Sequence, residues 1–449
     1  MINRELYKQL LQWKKSKNRK PLVLTGARQV GKTFLLKLFG KQEYNSVIYL
    51  NFEEDRNLKN FFIDNLNPSN IIENISIYIN QTIDQQHFNN TLIILDEIQE
   101  TPEAIKSLKY FYENMPNLHI AAAGSLLGVK LDNFSGFPVG KVNFLNLYPL
   151  NFLEFLAAIG QTKQHSMLTK LLKSNSPTQQ IADPIHQQLI VELKKYFFIG
   201  GMPEVVARYI ETQNLLTIQV IQQEILKAYM LDFGKHANKE QIMKITQIWE
   251  SIPNQLAKEN KKFNFSYINQ NARSREYKDA LSWLMDAGLI YKSYNLSTPK
   301  LPLPHYSEHN FFKIFLFDVG LLSAMSNIPA RTVIEMDVKR ENIISEFYGA
   351  FTENFVAQEL FMQRQQLNYW TSKGIAEVDF IVEHDLNIYP LEVKAGVSHH
   401  KKSLLEYEKK YQPKLLLRAS LMNLKKDHNI INIPLYLVGN LFELISNLY

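Results

Sequence analysis

The sequence has no cysteine at any of its 449 positions. This absence excludes disulfide bonds, zinc sites built from thiolates and a cysteine nucleophile. No apolar run approaches the roughly 20 residues that a membrane-spanning helix needs. The first twenty residues, MINRELYKQLLQWKKSKNRK, form a basic amphipathic pattern rather than a signal peptide with an apolar centre. Together these absences predict a cytoplasmic protein with no membrane segment.

What is present is the composition of a globular protein. Apolar residues make up 45% of the chain and aromatic residues 12%, which is enough for packed cores. The length of 449 residues predicts two to four domains. The net charge of +6 favours an acidic partner such as DNA or RNA. The alternative is a solvated surface that is basic without such a partner.

The strongest motif lies in LTGARQVGKTFLL, where two glycines five positions apart precede Lys32 and Thr33. The apolar run PLVL predicts a strand before this loop, and KTFLLKLF predicts a helix after it. Glycines let backbone N–H groups turn towards phosphates, and a helix N-terminus favours an anion. Lys32 is expected to reach the phosphates and Thr33 to bind Mg²⁺. The motif predicts ATP and Mg²⁺ as ligands and a nucleotide-binding loop made of Gly26, Ala27, Arg28, Gln29, Val30, Gly31, Lys32, Thr33 and Phe34.

Two later apolar runs end in polar residues. TLIILDEIQ has four consecutive apolar residues followed by Asp96 and Glu97, at the sheet edge where ligands bind. Asp96 suits the Mg²⁺ shell and Glu97 can polarise the attacking water; the alternative is an acidic helix cap. HIAAAGS predicts another strand, with Ser125 at its tip placed to contact the γ-phosphate. With PLVL and SVIYLNFEE, these runs predict a parallel α/β sheet.

Several motifs together resemble one family: GARQVGKT, LDEIQ, AAAGSLLG, FPVGKVNFLNLYPLNFLEFL and YFFIGGMPEVV. They are similar to the prokaryotic AAA-type ATPases that carry an uncharacterised nuclease-like C-terminal domain, and the resemblance covers nearly the whole chain. It implies a P-loop ATPase core in residues 1–165 and a helical lid in 166–240. It further implies a winged-helix-like module in 241–330 and a PD-(D/E)XK nuclease-like (restriction-endonuclease-like α/β) domain in 335–449. The resemblance also gives Ser125 the sensor position.

The segment from Phe263 to Asn295 predicts a helix, a turn, a second helix and a strand. Ser266 is expected to cap the first helix and Gly288 to end the second. This is a winged helix-turn-helix outline, which the resemblance supports. Arg273, Arg275 and Lys278 could meet DNA phosphates from the second helix. Protein docking is the alternative role.

From about residue 340 the pattern predicts a helix followed by strands in LNYWTS, EVDFIVEHD and IYPLEVKAG. Glu392 and Lys394 are two positions apart, so a strand places them on one face. This resembles the PD-(D/E)XK fold, which implies catalytic roles for Asp379, Glu392 and Lys394 and for Glu353 on the preceding helix. Val378 stands where the motif name has proline.

The strands around EHDLNI predict a tight hairpin. A turn centred between Asp385 and Leu386 pairs residues whose numbers sum to 771, which sets Asp379 opposite Glu392. Like charges about 5 Å apart destabilise a sheet. A divalent metal ion held by both carboxylates would offset this repulsion, with Lys394 beside the attacking water. The alternative is that Lys394 alone neutralises the pair.

Two functions follow as hypotheses: an ATPase coupled to binding or cleavage of nucleic acid, or a regulatory ATP switch whose C-terminal modules only dock partners. No arginine lies between Arg56 and Arg208, and Lys141 is the basic residue that FPVGKV offers. Ring-forming AAA-type ATPases usually supply an arginine in trans, and lysine lacks its bidentate fork. Slow hydrolysis without an obligatory hexameric ring is therefore expected. Arg208 could lean over the γ-phosphate or be an exposed helix arginine.

Overall fold

The computed structural model describes residues 2–63, 65–124, 136–174, 179–236, 239–258, 261–270, 272–329, 345–364, 366–372, 376–396 and 402–447. The chain divides into two compact units. The N-terminal unit comprises Asn3–Tyr148 with Asp286–Gly288, and the C-terminal unit comprises Pro149–Met285 and Leu289–Tyr449 with Met1–Ile2. In the part of the chain described, no helix is long and apolar enough to cross a membrane.

The N-terminal unit is built on a five-stranded parallel sheet in the order β2-β3-β4-β1-β5. Its helices and strands are α1 Leu6–Lys15, β1 Leu22–Thr25, α2 Lys32–Glu43, β2 Ser46–Asn51, α3 Asn60–Ile63, α4 Pro68–Tyr78, β3 Thr91–Asp96, α5 Pro102–Asn114, β4 His119–Ala123 and β5 Asn143–Asn146. The predicted parallel α/β sheet is confirmed. The fifth strand, β5, was not predicted.

The central strands of this sheet are buried because helices cover the sheet, as apolar runs of this kind require. Every residue of β3 and β4 is buried. Ile93 and Ile120 pack with Ile75 of α4 and Phe111 of α5 in one core. The core fixes the carboxyl ends of β1 and β3, which carry the phosphate-loop motif and Asp96.

The C-terminal unit joins a helical part to two sheets. Its helices and strands are α6 Phe152–Ala158, α7 Thr162–Leu172, α8 Asp183–Ile199, α9 Pro203–Thr212, α10 Leu215–His236, α11 Lys239–Leu256, α12 Ser274–Asp286, β6 Ile290–Leu296, β7 Ser307–Leu316, α13 Val319–Met325, α14 Ser345–Arg364, β8 Leu367–Thr371, β9 Glu377–Val378, β10 Phe380–His384, β11 Asn387–Val393, α15 Lys402–Tyr411, β12 Leu416–Ser420, β13 Lys425–Asp427, β14 Ile430–Pro434 and α16 Leu441–Ser446. The strand orders are β7-β6-β8-β9 and β10-β11-β12-β14-β13.

Strand β6 pairs in parallel with β8 and antiparallel with β7. The boundary predicted near residue 335 therefore runs through one sheet rather than between two sheets.

The Gly200-Gly201 break after α8 is held inside the C-terminal unit. A Cβ at Gly201 would lie 2.1 Å from the Leu150 carbonyl oxygen. The Gly201 N–H donates to the Asp318 carboxylate at 2.7 Å, and the same side chain caps α13 by accepting from Leu321 N–H. The two glycines are thus required by close packing.

The segment predicted to be a winged helix differs in its first helix. Residues Phe265–Tyr267 form one turn of 3-10 helix, and the side chain of Asn264 caps it by accepting from Ser266 N–H. The prediction that Ser266 caps an α-helix is wrong, because the preceding asparagine has already taken the cap position. Gly288 follows α12 with φ +72°, which suits a helix end.

The register of the β10–β11 hairpin is confirmed. Phe380 pairs with Leu391 and His384 with Asn387, so paired numbers sum to 771. Asp385 and Leu386 both have positive φ, 46° and 59°, as a two-residue type I′ turn requires.

Candidate functional site

The loop between β1 and α2 is shaped by two glycines. Gly26 has φ +137°, and a Cβ there would lie 2.1 Å from the Leu147 carbonyl oxygen. Gly31 has φ +95° and directly precedes Lys32, the first residue of α2. Both positions need glycine because other residues avoid this backbone region. The loop therefore brings its backbone close to the N-terminus of a 12-residue helix.

Lys32 lies over this loop as a buried cation. Its Nζ donates to the carbonyl oxygens of Gly26 and Ala27, each at 2.8 Å, and the residue is 7% exposed. Burial lowers the pKa of Lys32 to about 8, against the opposing charges of Glu97 and Asp96. An anion bound on the loop would favour the charged form of Lys32 and offset the effect of burial on its pKa.

Asp96, at the end of β3, connects the loop to the sheet. Its Oδ2 accepts from Thr33 Oγ1 at 2.7 Å and from the Tyr49 hydroxyl at 2.8 Å. Asp96 is 3% exposed. A carboxylate and a hydroxyl oxygen in contact form a donor set that suits Mg²⁺.

Glu97 follows in a strained conformation. It has φ 51° and ψ 42°, a left-handed conformation that is uncommon for a residue other than glycine. Buried Gln99 donates from its amide nitrogen to Glu97 Oε2. Backbone strain of this kind clusters at functional sites. Sequence reasoning missed the roles of Gln99 and Tyr49; the only signal was that Gln99 lies in the LDEIQ motif.

Three other predicted residues have separate outcomes. Ser125 lies outside the described residues. Lys141 forms an ion pair with Glu113 at 2.9 Å in the N-terminal unit. Arg208 is exposed on α9 of the C-terminal unit and pairs with Glu211 at 2.9 Å.

In the C-terminal unit the structure brings Asp379, Glu392 and Lys394 together. Lys394 Nζ contacts Glu392 Oε1 at 2.5 Å. Asp379 lies one residue before β10, and its Oδ2 accepts from the Val393 N–H at 2.7 Å. The β10–β11 ladder ends at the Phe380–Leu391 pair, and Asp379 and Glu392 lie one position beyond it.

Glu353 of α14 belongs to the same cluster, but two lysines hold it. Lys261 contacts Glu353 Oε2, and Lys313 contacts Oε1 at 2.9 Å. Burial raises the pKa of Glu353, but the two ammonium groups outweigh burial and bring the pKa to about 2. Lys313 also contacts Glu377 Oε1 at 2.5 Å. Lys261, Lys313 and Glu377 were missed from the sequence, which carries no signal for them.

The pKa values of Asp379 and Glu392 are shifted in the opposite direction from that of Glu353. Burial, with the charges of Glu353 and Glu392, raises the pKa of Asp379 well above its ordinary value. Burial also raises the pKa of Glu392, although Lys394 opposes the rise. Glu392 Oε2 is buried without a hydrogen-bond partner. Within the described ranges, no group of three or more His, Asp or Glu residues is arranged to hold a metal ion.

Family models match three successive segments. Residues 18–156 match "AAA domain", 190–332 match "Domain of unknown function (DUF8612)" and 348–438 match "Domain of unknown function (DUF4143)". No single match spans half of the chain. Residues 18–156, which contain the loop, Asp96 and Glu97, are an AAA-type ATPase-like domain.

Two solved structures resemble the chain weakly. The Holliday junction branch migration motor RuvB of Thermotoga maritima has 13% identity and a TM-score of 0.29, over 64% of this chain and 89% of that one. Drosophila ORC bound to DNA has 12% identity and a TM-score of 0.26, over 74% of this chain and 95% of that one. At such scores neither supports a conclusion about this chain. No curated protein matches.

Proposed function

We propose that the N-terminal unit binds ATP with Mg²⁺ and hydrolyses the ATP. The observation that carries this proposal is the 2.7 Å hydrogen bond between Thr33 Oγ1 and Asp96 Oδ2, made across 63 positions of sequence. It joins the start of the helix after the phosphate loop to the carboxyl end of β3. The AAA domain match over the same residues supports the proposal.

Each side chain has a separate role in this proposal. Lys32 binds the phosphates, exchanging its two carbonyl contacts for phosphate oxygens. Thr33 and Asp96 would hold Mg²⁺, which supplies positive charge beside the phosphates when bound. Glu97 orients the attacking water and accepts its proton, and Gln99 positions the Glu97 carboxylate.

The experiment is ATP turnover by the full chain and by a Glu97→Gln variant. The amide keeps the shape of the side chain but cannot accept a proton, so turnover should be lost while ATP binding remains.

A second proposal concerns the cluster of the C-terminal unit: that it binds a divalent ion and acts on the phosphodiester backbone of DNA or RNA. The observation that favours it is Glu392 Oε2, buried with no hydrogen-bond partner beside Asp379 and Lys394. Two carboxylates suit Mg²⁺, which keeps several waters. Exposed Arg273, Arg275 and Lys278 could add phosphate contacts. The rival is a docking module for a protein partner that binds no metal.

The measurement for this second proposal is Mn²⁺ binding by the full chain, followed by incubation with plasmid DNA and RNA oligonucleotides. Mn²⁺ binding and any cleavage should both disappear in Asp379→Asn and in Glu392→Gln. Equal Mn²⁺ binding by the parent and both variants would reject the metal site.

A further inference from the structure

Tyr49 of β2 contacts Asp96 from the neighbouring strand. Strands β2 and β3 are parallel, and Asn51 pairs with Asp96 in their ladder. Tyr49 lies two positions before Asn51, so its side chain is on the same face of the sheet as that of Asp96. The Tyr49 hydroxyl lies 2.8 Å from Asp96 Oδ2. The register of the two strands therefore places this hydroxyl at the carboxylate.

The proton of the Tyr49 hydroxyl points to Asp96. The side-chain amide nitrogen of Asn51 can only donate, and it donates to the Tyr49 hydroxyl oxygen at 3.2 Å. The hydroxyl in turn donates its own proton to Asp96 Oδ2. Burial and this hydrogen bond raise the pKa of Tyr49 above its ordinary value, so the hydroxyl keeps its proton. Tyr49 is thus a fixed donor to the Asp96 carboxylate.

Lys37 holds the ring of Tyr49 from α2. Its Nζ lies 3.4 Å from the centre of the Tyr49 ring, which is a cation–π contact. Lys37 is one turn after Thr33, so both side chains project from one side of the helix. Thr33 donates to Asp96 while Lys37 lies over Tyr49. The helix that follows the phosphate loop therefore contacts both members of the Tyr49–Asp96 pair.

Three hydrogen bonds fix the orientation of the Asp96 carboxylate. Its Oδ2 accepts from Thr33 and from Tyr49, and its Oδ1 accepts from the backbone N–H of Glu97 at 3.1 Å. A carboxylate offers about four acceptor positions. Loss of the Tyr49 hydroxyl would remove one of the three bonds that prevent the carboxylate from rotating.

We propose that Tyr49 is a positioning residue for Mg²⁺, which orients the Asp96 carboxylate while Lys37 holds the Tyr49 ring. The proposal rests on the proposed binding of ATP with Mg²⁺ at Thr33 and Asp96, and it does not require hydrolysis. Side chains that hydrogen-bond to metal-binding residues typically contribute about tenfold to hundredfold to metal affinity. Tyr49 should therefore act on the Mg²⁺-dependent part of ATP binding.

The test compares the dissociation constants for ATP in EDTA and in Mg²⁺, measured by calorimetry on the full chain. Tyr49→Phe removes only the hydroxyl. We expect this variant to bind ATP as the parent does in EDTA and about tenfold more weakly than the parent in Mg²⁺. A merely structural role would weaken binding in both conditions. Tyr78→Phe is the matched control, because the Tyr78 hydroxyl donates to Asp55 Oδ2 at the same 2.8 Å, and it should leave both constants unchanged.

Lys37→Met tests the same role without altering Tyr49. Loss of the cation–π contact should weaken ATP binding about twofold to fivefold in Mg²⁺ and leave it unchanged in EDTA. Lys41→Met is the control for the loss of a positive charge, because Lys41 is an exposed lysine one turn further along α2. It should match the parent in both conditions.

Each outcome decides the proposal. A folded Tyr49→Phe that binds ATP in Mg²⁺ as tightly as the parent would overturn the role of Tyr49 alone, as would an equal loss of affinity in EDTA and in Mg²⁺. If Tyr49→Phe does not fold, the comparison of Lys37→Met with Lys41→Met decides in the same way. A parent whose affinity for ATP is the same in EDTA and in Mg²⁺ would overturn the Mg²⁺ site of the proposed function, and the role of Tyr49 with it.

Discussion

The phosphate loop holds one lysine whose charge costs free energy when no anion is present. Because burial lowers its pKa from 10.5 to about 8, Lys32 loses its proton in the ligand-free fold at a pH where it would keep it in the unfolded chain. The unfolded chain therefore binds more protons between these values. The ligand-free N-terminal unit should become more stable as pH rises from about 8 to 10.5.

The affinity for ATP, in contrast, should fall as pH rises above about 8. Phosphate oxygens favour the charged form of Lys32, so binding above pH 8 must take up a proton. The dissociation constant for ATP should rise by up to about tenfold per pH unit above that value. Calorimetry in buffers of different ionisation enthalpy would measure the proton directly, and Lys41→Ala, an exposed lysine on the same helix, should keep the parent profile. An affinity unchanged between pH 7 and 9.5 would contradict this role for Lys32.

Residue pairs differ in how far the sequence could predict them. Thr33 and Asp96 belong to motifs that follow predicted strands of one parallel sheet, so their proximity at its carboxyl edge was predictable. Lys313 and Lys261 belong to no motif. They contact Glu353 across 40 and 92 positions of sequence, respectively. Local pattern carries no information about such a pairing.

Among the elements, the β10–β11 hairpin was the most predictable. Its two-residue turn fixes every pair, so one position determines the whole register. Strand β5 was missed because its burial pattern, with an exposed Phe144, gives neither a continuous apolar run nor a regular alternation. It is held by pairing with β1, a partner that lies about 120 positions earlier.

The turn of this hairpin carries an avoidable strain. Leu386 is 83% exposed and has φ 59°, a region that costs about 1 kcal/mol for a residue with a Cβ. Leu386→Gly should stabilise the hairpin by up to about 1 kcal/mol and slow hydrogen exchange of its cross-strand amides. The same change on a helix, Leu405→Gly in α15, should cost about 1 kcal/mol and speed exchange there. Faster exchange in the Leu386→Gly hairpin would contradict the turn assignment.

At the scale of the whole molecule, the segments on the two sides of the boundary predicted near residue 335 depend on each other. The cluster around Glu353 needs Lys261 and Lys313, which both precede the boundary predicted near residue 335. A fragment that begins there would also lack β6 and β7, the sheet partners of β8. Removing one partner of a buried ion pair typically lowers the free energy of unfolding by about 3–5 kcal/mol. Experiments on the C-terminal site therefore need the full chain.

The distribution of arginine along the whole chain bears on the rate of ATP turnover. No arginine lies between Arg56 and Arg208, and Lys141 is engaged with Glu113. Without a bidentate arginine from this segment to stabilise transition-state charge, turnover should be slow and should not depend on a hexameric ring.

The central claim is that the N-terminal unit uses Glu97 to hydrolyse ATP held by Lys32, Thr33 and Asp96. The most direct measurement is ATP turnover together with ATP binding, for the parent, Glu97→Gln and a neighbouring control, Glu100→Gln. Glu97→Gln should bind ATP as the parent does and turn it over at least about 100-fold more slowly, whereas Glu100→Gln should match the parent. Parent-rate hydrolysis by Glu97→Gln, or the absence of ATP binding by the parent chain, would contradict the account.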